Sequence, residues 1–132
     1  MQLYMIRDSK YPASAGPREG GGIIQERIMM TIEEFEKKAE SGKLILVDFF
    51  ATWCGPCQMM TPIIEKIKEK YEKDEKAEVL TIDIDENPAI PAKFSVMSVP
   101  SFVYIKDGKA VDTVIGATTE DNLVDRIEKL KK

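Results

Sequence analysis

The sequence predicts an α/β domain: a central mixed sheet, part parallel and part antiparallel, covered by helices on both faces. Three observations carry this. Segments with strand character alternate with segments of helical periodicity along the chain. The run Leu44–Phe50 (LILVDFF) is apolar on both alternating faces except at Asp48, the pattern of a central strand buried from two sides. Near the end, strand-like residues 102–105 and 110–115 flank Asp107-Gly108, a hairpin turn. Helical crossovers demand parallel pairing and the hairpin demands an antiparallel pair, so the sheet is mixed. The chain is 132 residues long. At about 150 residues per domain, that allows one domain and not two.

The elements follow in order. Residues 1–22 read as an N-terminal extension. Residues 1–6 (MQLYMI) are apolar but too short for a secretory signal and are followed at once by Arg7 and Asp8; Pro12, Pro17 and Gly20-Gly21-Gly22 then favour a linker. The domain proper spans 23–132, beginning with a strand over 23–29. Thr31 and Glu34 have the spacing of a capping box, and Ile32, Phe35 and Ala39 recur at helical spacing until Ser41-Gly42. After the central strand a helix starts around Cys54 and Cys57. Met60, Ile63, Ile64, Ile67 and Tyr71 form its apolar stripe, with Glu and Lys opposite and Pro62 as a kink; Met59 and Met60 read together as core. Residues 72–76 are a charged turn, 79–84 a strand, and Asn87-Pro88 opens a short helix bearing Ile90 and Phe94. Thr118 or Thr119 caps the last helix, with Leu123, Val124, Ile127 and Leu130 inward. Lys129, Lys131 and Lys132 lie at its negative end.

Composition narrows the chemistry. Hydrophobic residues make up 43% and charged residues 32%, which suits a folded globule rather than a disordered chain. The net charge of −4 gives no electrostatic reason to expect nucleic acid or an anionic membrane as a partner. No apolar run approaches the roughly 18 residues of a membrane span. With 0 histidines, Ser-His-Asp triads, Cys-His nucleophiles and His-ligated metals are all excluded. The 2 cysteines stand three positions apart and close almost no loop, so they are a poor staple. They serve chemistry, bind a metal, or are incidental. A zinc site needs four ligands and one CxxC supplies two. The predicted position is the first turn of a helix, where free N–H groups and the dipole stabilise an anion. A Cys54 thiolate there has a lowered pKa, and Cys57, one turn further in, is expected to be the less exposed.

Trp53-Cys54-Gly55-Pro56-Cys57, following Leu46-Val47-Asp48-Phe49-Phe50-Ala51-Thr52, resembles the active site of the thioredoxin family. The resemblance covers about residues 27–131. It extends to Asp48 as the buried acid, Pro62 as the helix kink, Asp85 in IDIDENP, Val99-Pro100 as a Val–cis-Pro pair, and Gly108 and Gly116 as hairpin and groove glycines. It implies a thioredoxin fold and a protein-disulfide reductase. Cys54 attacks a substrate disulfide, Cys57 resolves the mixed disulfide, and Asp48 is the base through a water. It implies a substrate rim of Trp53, Gly55, Pro56, Val99, Pro100 and Gly116, and no cofactor or metal beyond the Cys54–Cys57 disulfide. It also implies disulfide-containing protein substrates and a thioredoxin reductase as partners, and a monomer. The reducing cytoplasm suits such a chain.

Two departures stand out: Thr81 where many relatives carry a lysine near the buried acid, and Gln58 where Lys or Arg is common. Without the lysine, Asp48 is expected to titrate higher. Two other functions fit the fold: an exported, specialised oxidoreductase, and a non-enzymatic subunit binding through a flat apolar rim. The first would ordinarily carry an insertion or export signal and often lack the buried acid; the second would survive loss of both thiols. Asp85 reads as structural or solvated rather than catalytic.

Overall fold

The computed structural model describes residues 31–132. The extension over 1–22 and the strand expected over 23–29 lie outside the described residues.

Helix α1 (Ile32–Ala39) starts at Thr31, whose Oγ1 accepts the Glu34 N–H at 3.1 Å while Glu34 Oε1 accepts the Thr31 N–H at 3.0 Å. The capping box read from the sequence is therefore present on both arms. Strand β1 (Leu44–Phe50) leads through a short loop into helix α2 (Gly55–Lys70), which runs without interruption through Pro62. Strand β2 (Ala77–Asp83), the short helix α3 (Ala89–Lys93), strands β3 (Ser101–Lys106) and β4 (Lys109–Ile115) and helix α4 (Glu120–Leu130) complete the order. The sheet runs β2-β1-β3-β4, with β1 parallel to β2 and antiparallel to β3, and β3 antiparallel to β4. At the β3–β4 turn Asp107 and Gly108 have φ of 53° and 80°, the left-handed pair that a two-residue hairpin requires.

Strand alternation sorts the core into two layers. Leu44 and Leu46 of β1, Ala77 and Val79 of β2, and Phe102 and Tyr104 of β3 face one side, against Met60, Ile64, Ile67 and Tyr71 of α2 and Leu123 and Ile127 of α4. Ile45, Val47 and Phe49 of β1, with Ile82, Val103 and Ile105, face the other side, against Phe35 and Ala39 of α1 and Ile90 of α3. Asp48 shares the parity of Leu44 and Leu46, so it points toward α2. Polar anchors hold α4 on the first of these sides: Tyr104 of β3 donates its hydroxyl to the Leu123 carbonyl at 2.9 Å, and Tyr71 at the end of α2 donates to Glu128 at 2.5 Å. Thr119 caps α4, its Oγ1 accepting the Asn122 N–H at 3.1 Å, while Lys106 donates to the carbonyls of Leu130 and Lys132 at the other end.

The structure revises details of the sequence reading. Met60 is buried at 2%, but Met59 is 74% exposed. Adjacent residues on a helix stand about 100° apart, so the two methionines cannot share one narrow stripe. Strand β2 begins at Ala77, two residues earlier than expected. Glu78 there is held by Lys38 at 2.8 Å, and Ala77 packs into the α2 layer. Lys131 sits at the C-cap of α4, as expected, and its ammonium pairs there with Asp74 at 2.8 Å and Glu128 at 3.2 Å.

Phe35 is fully buried and meets Phe94 edge-on at 5.6 Å between ring centroids, which joins α1 to the loop after α3. Phe35→Ala is expected to destabilise the domain by about 3–5 kcal/mol, measured by urea unfolding, with the denaturant slope unchanged.

Candidate active site

The C-terminal end of β1 delivers the chain to the first turn of α2. Cys54 is the N-cap residue of α2, Pro56 lies in the first turn and Cys57 is at the third helical position. Cys54 Sγ accepts the Cys57 backbone N–H at 3.2 Å, a donor the helix leaves unpaired. Cys54 and Cys57 are joined as a disulfide with their Cα atoms 5.3 Å apart. Both are 5% exposed, so Cys57 is not the more covered of the two, contrary to expectation. With the sulfurs bonded, Cys54 folds over the helix end and packs with Ala51, Phe50, Ile84 and Val99. The end of a 16-residue helix, with an N–H aimed at the sulfur, favours an anion there once the disulfide is opened.

Behind the cysteines lies Asp48, 6% exposed. Its Oδ1 is buried without a hydrogen-bond partner, the only such side-chain oxygen or nitrogen among the described residues. Burial pushes its carboxyl up to about 7, against the opposing pull of the Lys68 ammonium. Asp48 and Cys57 line one cavity of about 210 Å³, together with Phe50, Thr61, Ile64, Glu65, Lys68 and Thr81. That volume has room for several waters. Thr81 is the cross-strand partner of Asp48, so the position without a lysine borders the acid directly. A larger charged cleft of about 660 Å³ lies further along α2, over β2, and contains no cysteine.

The rim residues gather at the same end. Trp53 is 68% exposed, which rules out a packing role for its ring, and its Nε1 donates to Asp85 Oδ2 at 2.7 Å. Asp85 is thus a structural tether. The Val99–Pro100 peptide bond is cis. Gly116, at φ 91°, donates its N–H to the Pro100 carbonyl at 2.8 Å, which brings the end of β4 beside the proline. Gly55 and Pro56 are exposed and Val99 is half-buried. Sequence reasoning missed two exposed apolar residues next to this set in the chain: Met97, two positions before Val99, at 93% exposure, and Ile115, just before Gly116, at 71%. The signal for Met97 and Ile115 was their closeness in sequence to Val99 and Gly116. Gln58, in place of a cation, donates its side-chain amide to the Thr52 carbonyl at 3.0 Å and braces the loop before Cys54. Among the described residues no group of three or more acidic, cysteine or histidine side chains is placed to hold a metal ion, and no helix is long and apolar enough to cross a membrane.

A sulfur pair at a helix N-cap, backed by a buried acid, passes an electron pair between dithiol and disulfide, and proteins built on that exchange are thiol–disulfide oxidoreductases. Comparison with known proteins agrees. The family profile described as Thioredoxin matches residues 26–129. A thioredoxin of Staphylococcus aureus is 45% identical over 102 residues, 77% of this chain and 95% of that protein. Among solved structures, a mutant thioredoxin from Halobacterium salinarum matches with a TM-score of 0.68 at 36% identity, covering 79% of this chain and 88% of that one. Fasciola hepatica thioredoxin gives a TM-score of 0.64 at 40% identity, covering 74% and 89%. The chain belongs to the thioredoxin family. It is a protein-disulfide reductase with the thioredoxin fold, and its redox group is its own cysteine pair.

The Asp48 carboxyl has a folded-state pKa above its unfolded value, so its ionisation opposes folding. The penalty is absent below about pH 4, grows as pH rises toward about 7 and is complete above that. Asp48→Asn in the disulfide form is expected to gain stability over the parent with rising pH, reaching about 4 kcal/mol at pH 8 relative to the difference at pH 4. Chemical unfolding at the two pH values measures this.

Proposed function

We propose that Cys54 is the attacking sulfur and Cys57 the resolving one, with Asp48 as the base that frees Cys57. The observation that carries this is the division of surroundings: the Cys54 sulfur takes the helix-end N–H, while Cys57 shares a cavity with the only buried unpaired carboxyl oxygen among the described residues. The Cys54 thiolate attacks one sulfur of a substrate disulfide. A Cys54–substrate bond forms, the substrate disulfide breaks, and the departing thiolate takes a proton from solvent. Asp48 then accepts the Cys57 proton through a water in the cavity. The Cys57 thiolate attacks Cys54 Sγ, the Cys54–Cys57 bond closes, and the second substrate thiolate leaves and is protonated. The substrate has gained two electrons and two protons, and the protein is left in the bonded state seen here. A carboxyl at about 7 is matched to this task at neutral pH.

The substrate meets a rim of Trp53, Gly55, Pro56, Val99, Pro100 and Gly116, lying extended beside Val99 as an added strand. Its class is a protein with an accessible disulfide. Two electrons must return in each cycle, which a thioredoxin reductase supplies. The reading places the protein in the cytoplasm as a monomer contributing to redox balance, without metal or further cofactor. The exposed apolar residues support the docking of a protein partner at this end.

Cys57→Ser is expected to accumulate substrates as mixed disulfides on Cys54, identified by mass spectrometry after thiol-reversible capture. Cys54→Ser captures none, and both lose turnover to background. Trapping on Cys57 in place of Cys54 overturns the assignment. Asp48→Asn is expected to slow the resolving step by roughly 10²-fold at neutral pH and to abolish its rise through pH 7, seen as slow decay of the mixed disulfide in stopped-flow kinetics.

A further inference from the structure

We propose that Lys68 is a positioning residue for this reaction, the cation that serves the buried Asp48–Cys57 pair from the mouth of their shared cavity. The inference rests on the reading of Asp48 as the base. Helix α2 sets it up by spacing alone: Cys57, Thr61, Ile64 and Lys68 recur at intervals of four, three and four, so they share one face. All four line the same cavity, with Asp48 reaching it from β1. Cys57 and Ile64 are buried, whereas Thr61, Glu65, Lys68 and Thr81 are exposed and form its outer edge.

The charges around Asp48 are few. From β2 the cross-strand neighbour is Thr81, and from β3 it is Phe102, neither charged. From β1 itself Phe50 lines the cavity, and from α2 come Lys68 and, with opposite sign, Glu65. The next basic residue on the helix, Lys66, is directed to Glu120 at 3.9 Å. Lys68 takes part in none of the ion pairs within 4 Å among the described residues, although Glu65 lines the same cavity and Glu69, Glu72, Asp74 and Glu78 line the neighbouring cleft with it. An ammonium here attracts the Asp48 carboxylate across the cavity and partly offsets burial. It does from the helix what a lysine at position 81 would do from the strand. The Asp48 carboxyl still lies well above the ordinary carboxylate range, as the lack of a lysine at position 81 leads one to expect.

The experiment is a carbon-13 titration of the Asp48 side-chain carboxyl in the full chain, disulfide form, paired with the pH profile of the resolving step. Lys68→Ala and Lys68→Met are expected to raise the Asp48 midpoint by roughly half a pH unit, and Lys68→Glu by more. Lys68→Arg leaves it in place, and Thr81→Lys added to Lys68→Ala brings it back. Salt raises the parent midpoint toward that of Lys68→Ala, because an exposed cation is screened. The rise of the resolving rate with pH moves in parallel. Lys68 is exposed, so these variants are expected to fold like the parent. Unchanged midpoints in both Lys68→Ala and Lys68→Glu overturn the proposal. If Asp48→Asn leaves the resolving step untouched, it is the base reading that fails, and the proposal with it. If Asp48→Asn slows that step while the Lys68 variants do not shift its pH profile, Lys68 alone is wrongly assigned.

Discussion

Strand β1 has apolar partners on both faces, so its register cannot slip by one residue without sending every side chain into the wrong helix layer. Leu44 and Leu46 meet α2 and α4; Ile45, Val47 and Phe49 meet α1 and α3. This fixes where Asp48 points, and it fixes where the chain leaves the sheet. Six of the seven residues of β1 are buried, and the loop that follows has only Ala51 to Trp53 before the N-cap sulfur. The cysteine pair and the acid are therefore placed by one strand, without a flexible intermediary.

Asp48 interrupts an otherwise apolar strand at a cost. An ionised carboxylate with an unpartnered oxygen opposes folding at neutral pH, and only the two flanking clusters make that tolerable. A local rule is broken at the position where the proposed mechanism calls for a group that titrates near neutrality, and such conflicts concentrate at functional sites. The cavity is the physical counterpart: it lets solvent approach an acid that the sheet would otherwise seal away.

Much of this was legible in the residues themselves. The period-two pattern of β1, the capping box at Thr31, the Asp107-Gly108 turn and the apolar stripe of α2 each act locally, and each appears where expected. The misreadings involve contacts between distant segments or fine angular position. Met59 was grouped with Met60 because adjacency hides a turn of about 100°. The start of β2 was missed because Glu78 looks like loop, and its partner Lys38 lies 40 residues away. The equal cover over Cys54 and Cys57 depends on Ala51 and Val99 meeting at the helix end. The tether from Trp53 to Asp85 spans 32 residues and has no local signature.

That tether changes what Trp53 offers to the outside. An indole has a single hydrogen-bond donor, and here Asp85 occupies it. The part of the ring left bare is hydrocarbon. Any visitor finds a lip with grease but almost no polar grammar of its own. On the proposed reading, choice among visitors then falls to their main chain and to how far their own sulfur bridge protrudes.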